Sequence, residues 1–261
     1  MPALFIGHGS PMNAIETNHY TSQWRAIGRA LPRPRAILVI SAHWYIGATA
    51  VTAMPSPPTI HDFRGFPPAL FAFEYPAPGD PDLAAEIAAL LHPEPVIEDR
   101  TQWGIDHGAW SVLAHLYPAA DIPVLQLSIN ALKPLDYHLA IGAALAPLRD
   151  SGVLILASGN VVHNLRTIDW NSPAIGADWA HRFDDSVAAR MTENPATILQ
   201  TTRHPDFASA VPTPDHFIPL LHIAGLAAAA HEVASPIIRG YEYGSLSMTS
   251  YAVGAIAASA S

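Results

Sequence analysis

Ala36-Ile37-Leu38-Val39-Ile40-Ser41-Ala42-His43-Trp44 is the stretch that decides how the rest of the chain is read. Five consecutive apolar residues, β-branched at Ile37, Val39 and Ile40, suit a strand buried on both faces, as in the parallel sheet of an α/β protein. Such sheets place ligands outside the carboxyl ends of their strands, and His43 stands at that end. Two other stretches repeat the pattern. Ala3-Leu4-Phe5-Ile6 runs into Gly7-His8-Gly9-Ser10-Pro11, and Val153-Leu154-Ile155-Leu156-Ala157 runs into Ser158-Gly159-Asn160 and then His163. Buried strands that each deliver a histidine to one edge make a site.

Outward from these runs, strand and helix alternate. Residues 21–30 carry Trp24 and Ile27 at helical spacing and stop before Pro32, residues 48–54 suit a strand, and residues 80–91 suit an amphipathic helix with Asp80 as N-cap. Residues 124–129 form a further buried strand, followed by a helix over 134–148 and a surface helix over 177–191. Around Pro212-Thr213-Pro214-Asp215-His216, Thr213 suits an N-cap and Pro214 the first helical position, which places His216 in a first turn. Two short strands, at 237–239 and 244–249, close the chain. This alternation predicts βαβ units: a single α/β domain over residues 1–261, with a mostly parallel or mixed central sheet flanked by helices and a metal site at the carboxyl ends of its strands.

Composition narrows the function. A formal charge of -9 with only 13 Lys and Arg offers no basic surface for nucleic acid or anionic lipid. With no cysteine there is no disulfide framework, thiolate zinc site or cysteine nucleophile, so any metal falls to His, Asp or Glu. The opening Met1-Pro2-Ala3-Leu4 lacks a basic segment leading into a long apolar one, and no run approaches a membrane span, so a cytoplasmic protein without membrane partners is expected.

Fourteen histidines and 25 prolines point to a site built on ordered loops. The proline-rich segment from Pro55 to Pro81 holds Phe63, Phe66, Phe71, Phe73 and Tyr75, and suits a lid or pocket wall for a flat ring. In Gly104-Ile105-Asp106-His107-Gly108, His107 opens a strand-to-helix loop as a ligand, a hydrogen-bond donor or a partner of a ligand, whereas His115 on the following helix reads as structural. H-E-x-x-H, G-x-x-x-x-G-K and G-x-S-x-G are all missing, which argues against zincins, P-loop enzymes and α/β-hydrolases. Dispersed histidines are the remaining constellation, and imidazole suits iron, zinc, copper and nickel.

The blocks Gly7-His8-Gly9-Ser10-Pro11, Ser41-Ala42-His43-Trp44, Gly104-Ile105-Asp106-His107-Gly108, Ser158-Gly159-Asn160-Val161-Val162-His163-Asn164, Pro212-Thr213-Pro214-Asp215-His216 and Gly244-Ser245-Leu246-Ser247-Met248 resemble, in that order, the class III extradiol ring-cleavage dioxygenases, and within them the 4,5-DOPA dioxygenase branch. The likeness covers nearly the whole chain. It implies His8, His43 and His216 as ligands of one divalent metal ion, His163 as the acid/base residue with a pKa near neutrality, and His107 as a further catalytic residue near the pocket. Better-known members of the wider superfamily use two histidines and a carboxylate, so a third histidine ligand is a departure. The resemblance further implies a catecholic substrate and dioxygen, Fe(II) for turnover with Zn(II) able to occupy the same site, and a monomer or small homo-oligomer. A zinc-dependent hydrolase and a Memo-like metal-binding interaction protein on the same fold stay open beside it.

Overall fold

In the computed structural model, which describes residues 1–256, the apolar runs become the centre of one eight-stranded sheet. Its strands are β1 (Ala3–Gly7), β2 (Ala36–Ile46), β3 (Ala50–Thr52), β4 (Ile97–Asp99), β5 (Val124–Asn130), β6 (Val153–Gly159), β7 (Ala234–Ile238) and β10 (Ser250–Val253), in the order β4-β3-β5-β2-β6-β1-β10-β7. A separate hairpin pairs β8 (Tyr241–Glu242) with β9 (Leu246–Ser247). The middle strands β5, β2, β6 and β1 are parallel. Antiparallel pairing of β3 with β5 and of β10 with β1 makes the whole sheet mixed.

Each middle strand is buried along its entire apolar run, and alternate side chains serve opposite layers. Phe5, Leu38 and Ile40 point into one core, with α3 (Pro81–Leu90), α5 (Leu135–Leu145), α6 (Asp178–Glu193) and α8 (Ile218–Ala229); Leu4, Ile6, Ile37 and Val39 point into the other, with α1 (His19–Ala30) and α4 (His107–Leu116). Two single-turn helices, α2 (Pro68–Phe71) and α7 (Phe207–Ala210), sit in the connections. Among the described residues no helix is long and apolar enough to cross a membrane.

Four expectations need correction. Strand β2 does not stop at Ile40 but continues to Ile46, and its register with β5 breaks between Ile40 and Tyr45. His43 therefore lies within an irregular stretch of strand, where β2 has outrun regular pairing. Helix α8 opens at Ile218 rather than at Thr213, because Pro219 occupies its first turn while the Phe217 and Ile218 amides bond back to the Pro214 carbonyl at 3.0 and 2.9 Å. His216 accordingly lies in the turn before the helix. Helix α6 is no mere surface element, since it buries Phe183, Val187, Met191 and the carboxylate of Asp184. A further terminal strand, β10, fills the place beside β1; its run of four residues is too short to show a period of its own.

Candidate metal centre

Strands β1, β2 and β6 end side by side, and the loops beyond them enclose a cavity of about 450 Å³. His8, His43, His107, His163 and His216 all line it. The structure thus brings together every site residue singled out in the sequence, from five separate segments.

His8 follows β1, its amide bonded to the Gly159 carbonyl at 3.1 Å. Its Nδ1 lies 3.0 Å from Ser158 Oγ, and that hydroxyl donates its only proton to the Gly108 carbonyl at 2.6 Å. Ser158 can then only accept from His8, so Nδ1 carries the ring proton and Nε2 presents a lone pair. His43 is set the same way: Nδ1 lies 3.3 Å from Asp62 Oδ2, and Nε2 faces His8 Nε2 at 3.3 Å. Two unprotonated nitrogens this close repel unless a cation lies between them.

His216 is held at the near edge of β6, where its carbonyl accepts from the Asn160 amide at 2.9 Å and a side chain on Gly159 would meet that carbonyl oxygen at 2.3 Å. Only glycine permits this approach. A short contact joins His216 Nδ1 to Asp215 Oδ2, again turning the other nitrogen away from the carboxylate. The ring centres of His8, His43 and His216 form a nearly equilateral triangle with sides of 5.2, 5.3 and 5.1 Å.

His107 and His163 each pack against one corner of that triangle. His163 lies flat on His216, ring centres 3.5 Å apart and planes within 3° of parallel. Its backbone is tied by an amide bond to Ala210 and a bridge to Leu246. His107 lies against His43 with ring centres 3.7 Å apart, and its Nδ1 sits 2.8 Å from Asp62 Oδ1 without hydrogen-bond alignment.

The donor atoms alone suggest a different grouping, because one nitrogen from each of His8, His43 and His107 lies within 4.8 Å of the others. Ring geometry weighs against it. Rings that radiate from one ion keep their centres well apart, and those of His107 and His43, tilted by 48°, are only 3.7 Å apart. The triangle closed by His216 keeps that separation on all three sides.

Helix α4 places His107 through its N-cap. Asp106, wholly buried, accepts from the Ala109 amide at 3.1 Å, from Ser41 Oγ at 2.7 Å and from Gln126 Nε2 at 2.7 Å, so the helix start is clamped between β2 and β5. Burial, and then the charge of Asp62, raise the Asp106 carboxyl above its usual range. Burial also holds His8 and His43 well below the ordinary imidazole range, with the surrounding histidines adding to the effect. His163 falls to about 3, first through burial and then through His216. The near-neutral value expected for His163 is therefore not the value of this site as it stands; the ring rests as a neutral base. Burial works to raise Asp215, but the hydrogen bond and charge of His216 outweigh it and keep the carboxyl well below the carboxylate range.

Phe63 and Phe66 form one aromatic wall, as the proline-rich segment suggested, with Trp170 and Tyr243 on the opposite loops. Phe71 and Phe73 do not line the cavity; Phe73 instead stacks on Trp110 at 5.0 Å. Sequence reasoning assigned no role to Asp62, Asp106, Ser158, Asp215 or Glu242. Asp215 had a signal, being adjacent to His216. Asp62 and Glu242 had none, because their partners are remote in the chain.

The family described as the catalytic LigB subunit of aromatic ring-opening dioxygenase matches residues 2–258. A 4,5-DOPA dioxygenase extradiol of Escherichia coli (strain K12) is 49% identical over 258 residues, 97% of this chain and 95% of that protein. Another of the same name, from Beta vulgaris, is 40% identical over 95% of this chain and 94% of its own length. A crystal structure of an uncharacterized protein from Escherichia coli K12 superposes with a TM-score of 0.85 at 44% identity, covering 97% of this chain and all of the other.

Proposed function

The chain belongs to the family of the catalytic LigB subunit of aromatic ring-opening dioxygenases, and from that premise we propose that it cleaves a catechol beside its diol, consuming dioxygen, at one divalent metal ion held by His8, His43 and His216. Residues 1–261 act in this reading as one catalytic domain.

The observation that carries it is the convergence of His8 Nε2 and His43 Nε2 at 3.3 Å, each ring oriented by a partner on its far nitrogen. Nitrogens bound tetrahedrally to one ion at roughly 2.0–2.1 Å stand about 3.3 Å apart, so the donor set fits a metal. His216, turned by Asp215, closes the triangle. A ferrous ion there supplies Lewis acidity toward the catechol oxygens and a redox path to dioxygen, whereas zinc supplies the first without the second.

The remaining roles belong to the chain. His163, neutral and stacked on His216, accepts a catechol hydroxyl proton at a ring nitrogen and returns it after cleavage. His107 and Asp62 hold His43 in place and close the site on that side. Phe63 and Phe66 exclude water from one face of the ring.

Protein reconstituted anaerobically with Fe(II) is expected to convert L-DOPA to a yellow ring-opened product on admission of dioxygen, and zinc-loaded protein to remain inactive. Equal rates from iron-free zinc protein would overturn the redox assignment. Metal analysis of single alanine variants separates the ligand sets: loss at His8, His43 and His216 with retention at His107 supports the triangle, and the reverse for His216 and His107 sinks it.

A further inference from the structure

Away from the histidines, the cavity carries an unusual charge distribution. Its charged lining residues are Glu16 and Glu242, and among the described residues that line it there is no lysine or arginine. Glu16 is exposed, at the mouth, while Glu242 lies deeper, with Oε2 buried and lacking a hydrogen-bond partner among the described residues. That oxygen occupies the space a side chain on Gly9 would fill, 2.9 Å from such a Cβ; Gly9 adopts φ +60 and leaves room for the carboxylate one residue from His8.

The hairpin that bears Glu242 is rigidly held. Buried Asp184 accepts hydrogen bonds from Tyr241 at 2.9 Å, Ser247 at 3.1 Å and Thr249 at 2.6 Å, which fixes both strands of the hairpin. Glu242 is thus presented at a set position with no hydrogen-bond partner for its Oε2 among the described residues.

We propose that Glu242 binds a positively charged substituent of the catechol, with Glu16 drawing cations to the mouth, so that the site selects catechols bearing an ammonium group over those bearing only a carboxylate. The proposal rests on reading this cavity as the catechol site. A buried carboxylate without a partner is costly, and burial together with Glu16 raises Glu242 to about 7 in the free protein. An ammonium supplies the missing partner, whereas a substrate carboxylate placed there meets two acidic side chains and no lysine or arginine of the lining.

Two measurements test it. The first compares binding of phenethylamine and 3-phenylpropionate to the Fe(II)-loaded protein by calorimetry, for the natural sequence and for Glu242→Gln. Neither probe is a catechol, so this result does not depend on ring cleavage. At least tenfold tighter binding of the amine, lost in Glu242→Gln, is expected from a charge-assisted hydrogen bond. Equal binding, tighter binding of the acid, no binding of either, or an unchanged preference in the variant overturns the proposal.

The second compares kcat/KM for dopamine and 3,4-dihydroxyphenylpropionate, with 4-methylcatechol as the neutral reference. The ratio of amine to acid should fall about tenfold or more in Glu242→Gln, through KM. A uniform loss of kcat on all three would make Glu242 an acid/base group and overturn its role in specificity. Failure to open any catechol ring while the binding preference holds defeats the ring-cleavage reading and leaves the cation site standing.

Discussion

A single proton decides what His8 can do. Ser158 spends its hydroxyl proton on the Gly108 carbonyl and so obliges His8 to donate from Nδ1, freeing Nε2 for the cavity. Ser158→Ala removes that obligation without disturbing the ligand itself. Metal affinity should fall about 10–100-fold, as for other partners that orient ligands, and competition with a chelating dye measures it. His163 makes the opposite prediction. His163→Ala should keep its metal, because its ring stacks on the triangle and forms none of its three sides, yet turnover should drop roughly 10²–10⁴-fold. Loss of metal together with rate would show His163 to be a ligand; an intact rate would remove it from the reaction.

Elements place these residues more firmly than loops could. The start of α4 is clamped by Asp106 through its cap bond and through Ser41 and Gln126, and a side chain on Gly108 would run into Ser41 Oγ at 2.6 Å and His43 Cδ2 at 2.8 Å. Asp106→Ala removes the cap and leaves the Ser41 hydroxyl and Gln126 amide without their buried acceptor. Loss of a cap costs about 1 kcal/mol and an unsatisfied buried group about 1–3, so urea unfolding should show a loss of about 2–4 kcal/mol. A change below about 0.5 kcal/mol would mean that the clamp is made elsewhere. The irregular end of β2 is the other device at this scale. Where pairing with β5 breaks, the chain turns His43 toward β1 and β6 rather than into either core.

At the scale of the whole molecule, helices α5 and α8 bring together the buried His138 and His222, ring centres 5.2 Å apart, in the layer against the sheet. Burial lowers them from 6.5 to about 4 and about 3 respectively, and in His222 the neighbouring His138 adds to the drop. Below about pH 6.5 the unfolded chain takes up protons at these positions that the folded chain refuses. Their contribution to stability is therefore intact above that pH and is lost as pH falls toward 4 and then 3. Each group contributes a slope of about 1.4 kcal/mol per pH unit across its window. Urea unfolding of the metal-free protein near pH 7 and near pH 5 should register the loss, and equal stability at both would show that these rings are protonated in the fold. The sequence by itself determined the fold class, the order of the middle strands along the chain, the cap at Asp80 and the set of histidines, because period, apolar run length and capping chemistry are local and each residue carries its own share. Tertiary structure alone decided that β10 lies beside β1, that His216 closes a triangle while His107 and His163 pack against it, that Asp62 reaches both His43 and His107, and that Glu242 lines their cavity. Those relations join segments tens to hundreds of residues apart, and free nitrogens and unpaired carboxylates exist only once the strand order has chosen their neighbours.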